Sequence, residues 1–545
     1  MSADDLSPDY LVADGPLADD PVADEPLADD PAWERLDRRA FLAGGVYTAL
    51  PTAGAALITG YWLAVGGTVG TALTWVLPAF VVITAAGAAS GEWMWRVTSY
   101  RVDAERFHVH TGVVFRKRLA LRRERIRSVD LTADLVLRVL GAVTVRVGTG
   151  EKAGAEGTVT LWPVRRASAE ALRATLLAHA ARPDADGGAD PADGSLARFD
   201  RGWIRFAPLS FLTPALGAAA GGGTIQVAEW FGMQQRVFDV VGSWFGLAPV
   251  LLVALALAVG LLLVGGVATV ALWVETWWNH TLDRQTDGTL QVRRGLLTTR
   301  SITLEESRLR GLEVVEPLAA RLAGGARVDA VATGLTTDDE DKTESRTLLP
   351  TTPKGLADQV AARVLREPTP PTSAPLTPHP EAARGRRLRW ALGTVLAVEA
   401  VVLVLGALLT PVLLHVAWIS ALVLFPVAVV LANDAYRALG HTLTGAYPAG
   451  YLVARSGTVR RATVALQRRG IVGWTVRQSW FQRRAGLVTV VATTAAGTGA
   501  YAVHDAAEAD GLALADAAVP GLLRPFIDSA VDAVDAVAEP GATRG

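Results

Sequence analysis

The chain of 545 residues has no cysteine, and only four of its 52 basic residues are lysine (Lys117, Lys152, Lys342 and Lys354). Without cysteine there is no disulfide, no thiolate nucleophile and no cysteine-built metal site. The eight histidines are scattered. None forms an H-x-x-x-H or H-E-x-x-H pair, and no serine sits in a G-x-S-x-G elbow. The sequence therefore assembles no nucleophile, metal centre or acid–base pair, and neither enzymatic activity nor a cofactor is expected. Positive charge is also missing at the start. Residues 1–30 carry ten acids and no Lys or Arg, the reverse of a secretory signal. The repetitive PLADD-PVADE-PLADD tract is too polar to bury a core and reads as a disordered tail.

What the chain has in quantity is apolar sequence. Half of its residues are hydrophobic and its mean hydropathy is +0.29, above the range of ordinary soluble domains. Six stretches reach the roughly 20 residues that a bilayer crossing needs. They are 41–64, 71–91, 206–228, 247–274, 389–409 and 412–432, and they come in pairs. The links inside the first and third pairs are short and uncharged. The second link, Glu229 to Gly246, contains Trp230, Phe231, Trp244 and Phe245 and reads as an interfacial amphipathic segment. Paired spans return the chain to its starting side. Arg35, Arg38 and Arg39 before the first span and Arg384, Arg386, Arg387 and Arg389 before the fifth place that side in the cytoplasm. The expectation is a multi-pass plasma-membrane protein whose soluble parts are cytoplasmic.

After each pair the same punctuation recurs. Gly112, Ile126, Arg138 and Gly141 return as Gly295, Leu309, Arg321 and Gly324, and again as Gly457, Ile471, Arg483 and Gly486, each time in steps of 14, 12 and 3 residues. The chain is thus three repeats of one unit. Short β-branched or aromatic runs follow each pair, such as Phe107–His110, Ile126–Leu131 and Val143–Val147. A helix from Ser168 closes the first unit. The predicted organisation is a disordered tail (1–34), hairpin 1 (35–95), β domain 1 (96–182), a linker (183–202), hairpin 2 (203–278), β domain 2 (279–366), a Pro-rich linker (367–387), hairpin 3 (388–436), a diverged β domain 3 (437–505) and a helical or disordered tail (506–545). Each β domain is expected to be a small barrel or sandwich plugged by its C-terminal helix.

The run from Tyr100-Arg-Val through Gly112-Val-Val, Arg125-Ile-Arg-Ser-Val-Asp and Arg138-Val-Leu-Gly-Ala-Val-Thr-Val resembles the bacterial pleckstrin-homology (PH)-like membrane proteins of the YdbS/YdbT type. The resemblance continues in Leu309-Arg-Gly-Leu-Glu and Arg321-Leu-Ala-Gly of repeat two and diverges in repeat three, where Trp474 stands in place of Val129. It implies PH-like domains flanked by membrane hairpins, with six transmembrane helices, and a role in envelope maintenance or stress tolerance. It also implies a protein partner, such as a smaller PH-like membrane protein or a second copy. It brings no catalytic residues.

Arg96–Arg173 holds 16 basic residues against 8 acidic ones, whereas Asn279–Arg366 holds 13 of each. Arg116, Lys117, Arg118, Arg122, Arg123, Arg125 and Arg127 form the densest patch. Beside a bilayer such a patch is drawn to anionic head groups, weighed against simple topology signalling. Nucleic acid is not an expected partner, because stacking aromatics are not interleaved with the basic residues. The Arg–x–x–Gly steps read as structural: a turn glycine and an arginine bonded to carbonyls or an acid. The acidic loop from Thr336 lacks cation-ligand spacing and reads as solvated. Glu399, mid-span, is expected to donate a hydrogen bond across a helix contact. The leading expectation is a non-enzymatic scaffold, with a transporter or lipid-handling bundle as the alternative.

Overall fold

The computed structural model of the chain describes residues 33–66, 68–112, 117–123, 126, 128–148, 158–177, 194–246, 249–285, 288–333 and 346–523. The acidic N-terminal tail, the loop from Thr336 and the end of the C-terminal tail lie outside them.

Among the described residues, five helices are long and apolar enough to cross a membrane: Ala40–Val65, Val69–Val97, Leu252–Trp277, Glu381–Leu408 and Pro411–Arg437. Five of the six expected spans coincide with these. In the second, Ala72–Val76 is π-helical, just ahead of Pro78, whose ring and missing N–H disrupt the regular ladder. The remaining expected span, 206–228, is divided. Its first residues belong to a 3-10 segment, Arg201–Leu209, with Trp203 and Phe206 buried. The helix proper is Leu212–Trp230, 19 residues and so roughly 28 Å long. Its glycines and alanines keep it below the apolarity of the other five. It still packs as a hairpin arm: Gly217 lies against the Leu261 carbonyl, Gly265 lies against that of Thr213, and Thr213 and Thr269 hydroxyls are 3.1 Å apart. Small residues permit such close backbone approach. Between the arms of this hairpin, Gln234–Phe245 is an amphipathic helix with Phe238 and Trp244 exposed.

Among the described residues, twenty strands follow the repeat. Unit 1 has β1 (Glu34–Arg35), β2 (Ser99–Val102), β3 (Arg106–Thr111), β4 (Lys117–Arg122), β5 (Ser128–Ala133), β6 (Ala142–Gly148) and β7 (Thr158–Arg165). Unit 2 has β8 (Ser195–Arg198), β9 (Thr281–Arg284), β10 (Thr289–Arg294), β11 (Thr299–Glu305), β12 (Leu309–Pro317), β13 (Gly325–Ala332) and β14 (Thr347–Pro353). Unit 3 has β15 (Gly440–Thr444), β16 (Tyr451–Ser456), β17 (Arg460–Gln467), β18 (Gly473–Arg477), β19 (Leu487–Thr493) and β20 (Ala500–Ala507). Helices Arg166–Leu177, Lys354–Leu365 and Glu508–Ala518 close the units. The first begins two residues before Ser168.

The expected self-contained barrels are not what forms. The second half of each unit joins the first half of the next in one continuous sheet. The sheet orders are β1-β2-β3-β4, then β7-β6-β5-β11-β10-β9-β8, then β14-β13-β12-β17-β16-β15, then β18-β19-β20. The joints are β5 against β11 and β12 against β17, both antiparallel. Their register is identical. Ala133 faces Thr299 at the first joint and Glu316 faces Arg461 at the second, and these are the same repeat positions shifted by one unit. The cores interlock accordingly. Tyr451 and Val453 of β16 pack into the core of unit 2, while Leu452 and Ala454 of the same strand pack into that of unit 3. A strand buried on both faces reads as an uninterrupted apolar run, as Tyr451-Leu-Val-Ala does.

Candidate anion-binding cavity at the first joint

The repeat glycines set the local geometry. Gly112, Gly295 and Gly457 have φ of 86°, 113° and 96°, a conformation that costs residues with a Cβ. The turn at Gly295 folds Leu296–Thr298 back onto the end of the Leu252–Trp277 helix. The Leu297 and Thr298 amides donate to the Glu275 carboxylate at 3.0 and 2.7 Å. Beside this turn, six arginines converge from two units: Arg138, Arg166 and Arg173 from unit 1, Arg293, Arg294 and Arg300 from unit 2. They line a cavity of about 390 Å³ whose acidic residues are Glu170 and Asp283.

Each arginine has a distinct setting. Arg294 is buried, its guanidinium 4.1 Å from the ring centre of Trp277, a cation–π contact at the end of the candidate span. His280, wholly buried nearby, is pushed down to about 3 by burial and then by the charge of Arg294, so it stays neutral. Arg173 donates to the Ser301 hydroxyl at 3.1 Å. Arg138 donates to the Leu296 carbonyl. Arg166 pairs with Glu170 at 3.2 Å on the exposed rim. The planar guanidinium fork matches phosphate and carboxylate oxygens, and gathering six such charges against two acids favours an anionic occupant.

The second joint has the same architecture, but its basic residues are paired with acids. Arg321, the counterpart of Arg138, is held by the Asp434 carboxylate at 2.8 Å, which also takes Arg461 at 3.0 Å. Lys354 pairs with Glu316 and Arg460 with Glu313, each at 2.8 Å. Where the second joint has Glu316 and Asp329, the first has Ala133 and Arg146. Its positive charge is thus a property of that joint and not of the fold.

Three residues of the expected basic patch have described side chains. Arg118 and Arg122 are exposed on β4. Arg123 is a structural tie, donating to the carbonyls of Ala104 at 3.0 Å and of Thr175. Arg116, Arg125 and Arg127 lie outside the described residues, as does the side chain of Lys117. Of the Arg–x–x–Gly arginines, Arg138 and Arg321 each reach forward into the next unit, and Arg483 is exposed on the helix Trp480–Arg484. Gly141, Gly324 and Gly486 all have positive φ, from 61° to 75°. Glu399 is buried between helices, but among the described residues neither carboxylate oxygen has a hydrogen-bond partner. The expected hydrogen bond across the contact is not present among the described residues. The other five cavity arginines escaped the sequence reading, since they lie in separate units. The one available signal was the Arg293-Arg294 doublet before Gly295.

A hairpin of long helices followed by such a β unit is what the comparisons recover. Residues 53–180 and 393–519 each match the family model described as Bacterial PH domain. The chain carries the bacterial PH domain in two copies. Each match begins inside the first helix of a hairpin and ends at the closing helix, so both copies include membrane-type helices as well as strands. Unit 2, between the two PH matches, repeats their element order. No curated protein and no solved structure matches the chain.

Proposed function

We propose that the protein is a non-enzymatic, membrane-embedded scaffold. Three helix hairpins carry a head-to-tail array of PH-like units on the cytoplasmic face, and the first joint holds the phosphate of an anionic lipid. The observation that carries this reading is the six-arginine cavity beside Trp277 and the end of a candidate span, where lipid head groups would lie. Tryptophan at a span end favours that interfacial level, and phosphate at a cluster of guanidinium groups is stabilised by charge-assisted hydrogen bonds. A transport pathway would require polar groups to accompany Glu399, and its buried carboxylate has none bonded to it among the described residues.

The test is lipid retention by the full chain. The protein would be purified into nanodiscs of neutral lipid with a minor anionic component, and the bound anionic lipid counted by native mass spectrometry. The double variant Arg293→Gln/Arg300→Gln should retain several-fold less anionic lipid than wild type, and Arg455→Gln at the second joint should retain it fully. Retention should fall with salt, since exposed charges are screened beyond roughly 8 Å at physiological ionic strength. Equal retention by the two variants would overturn the reading.

A further inference from the structure

Both internal joints use the same edges: the fifth-strand position of one unit (β5, β12) against the fourth-strand position of the next (β11, β17). One of each edge is left without a strand partner among the described residues. Among the described residues, β4 is the last strand of its sheet at the front of the array, and β18 is the last strand of its sheet at the back. Their side chains show what is missing. Leu131 and Val314, in β5 and β12, are 7% and 3% exposed, but the equivalent Val476 in β18 is 43% exposed. Thr303 and Ala465, in β11 and β17, are buried, whereas the equivalent Ala120 in β4 is exposed. Arg138 and Arg321 reach into a following unit. Arg483, at the equivalent place, is exposed.

We infer that the two ends join between copies of this chain, head to tail, with β18 of one copy pairing antiparallel with β4 of the next. The occupant is a second copy because the chain supplies both halves of a joint it already makes twice. The shared register fixes the contact. Shifting the second joint by one unit places Gly473 opposite Leu121, Trp474 opposite Ala120 and Val476 opposite Arg118. The neighbouring face of unit 1 (Arg106, His108, Ala120) is polar, as is the corresponding face of unit 2 (Thr289, Gln291, Thr303), which is buried at the first joint. With the hairpins of both copies in one bilayer, head-to-tail addition would turn about the membrane normal. A heterologous contact of this kind closes into a ring or continues as an open arc.

The absence of cysteine makes the test direct. Two full-length chains of different mass, one carrying Val476→Cys and the other Arg118→Cys, would be co-expressed in one membrane and oxidised. Antiparallel partners lie within disulfide reach, so a mixed dimer is expected. Arg477→Cys with Arg122→Cys, five positions out of register, should give none. All four positions lie on edge strands, where cysteine is tolerated, and comparison of each variant's elution with wild type checks folding. A single chain carrying both Val476→Cys and Arg118→Cys should give a ladder of multiples, and the unmodified protein in nanodiscs should be larger than one chain. Absence of the mixed dimer, equal cross-linking by the two pairs, or a strictly monomeric wild type would each overturn the inference.

Discussion

At the scale of single residues, burial decides what the ionisable groups do. Glu399 is buried at a helix contact without a partner for either oxygen among the described residues. An unsatisfied buried polar group costs about 1–3 kcal/mol. Glu399→Leu is therefore expected to stabilise the detergent-purified protein by about that amount, read as a higher midpoint of thermal unfolding. A lower midpoint would reveal an interaction of the carboxylate that the fold does not display. His379 and His441 form a second buried site, with ring nitrogens 2.9 Å apart. Around them stand His504, Asp510 and the wholly buried Asp505, which binds Arg386 and Arg387 from the base of the fifth expected span. Burial lowers His379, and burial followed by the neighbouring His379 lowers His441 to about 4. The folded pair thus binds protons more weakly than the unfolded chain, whose histidines titrate near 6.5. Its contribution is fully present above pH 6.5 and is lost as pH falls toward 4, on the order of 2 kcal/mol after screening. Unfolding midpoints at pH 7.5, 5.5 and 4.5 should decline, and His441→Gln should flatten the decline.

At the scale of elements, the hairpins are held by small residues and the units by shared strands. Gly87 and Gly91 let the first two helices touch backbone to backbone, with a Cβ at Gly91 overlapping the Ala40 carbonyl. Gly91→Leu should force these helices apart, destabilising the hairpin by about 1–3 kcal/mol and exposing it to limited proteolysis. Unchanged protease resistance would show that the contact is not needed. The closing helix of unit 3 is tied differently. Arg468 is buried and donates to the Ala518 carbonyl at 2.8 Å and to that of Ala517, so a cation satisfies the last carbonyls of Glu508–Ala518. The strands themselves were visible from β-branched runs between glycines. Their partners were not, because alternation specifies a buried face and says nothing about which edge lies alongside. β12 is an example: Leu309–Pro317 reads as one strand of its own domain, yet it pairs on one side with β13 and on the other with β17 of the next unit.

At the scale of the molecule, interlocking joins the repeats into one array that has, among the described residues, an unpaired edge strand at each end and one basic joint. By itself the sequence determined the repeat, the apolar hairpins and the turn glycines, since each rests on local spacing or composition. The charge asymmetry was also legible, as unit 1 is strongly basic and unit 2 balanced. Only the tertiary structure decided where that charge acts. Arg138 and Arg300 are 162 residues apart, and they meet because β5 pairs with β11, a long-range choice made by edge hydrogen bonding and burial of both sheet faces. Of the basic patch around Arg122, Arg123 goes to backbone carbonyls, while Arg118 and Arg122 are exposed on β4. Helix packing alone leaves Glu399 without a hydrogen-bond partner among the described residues.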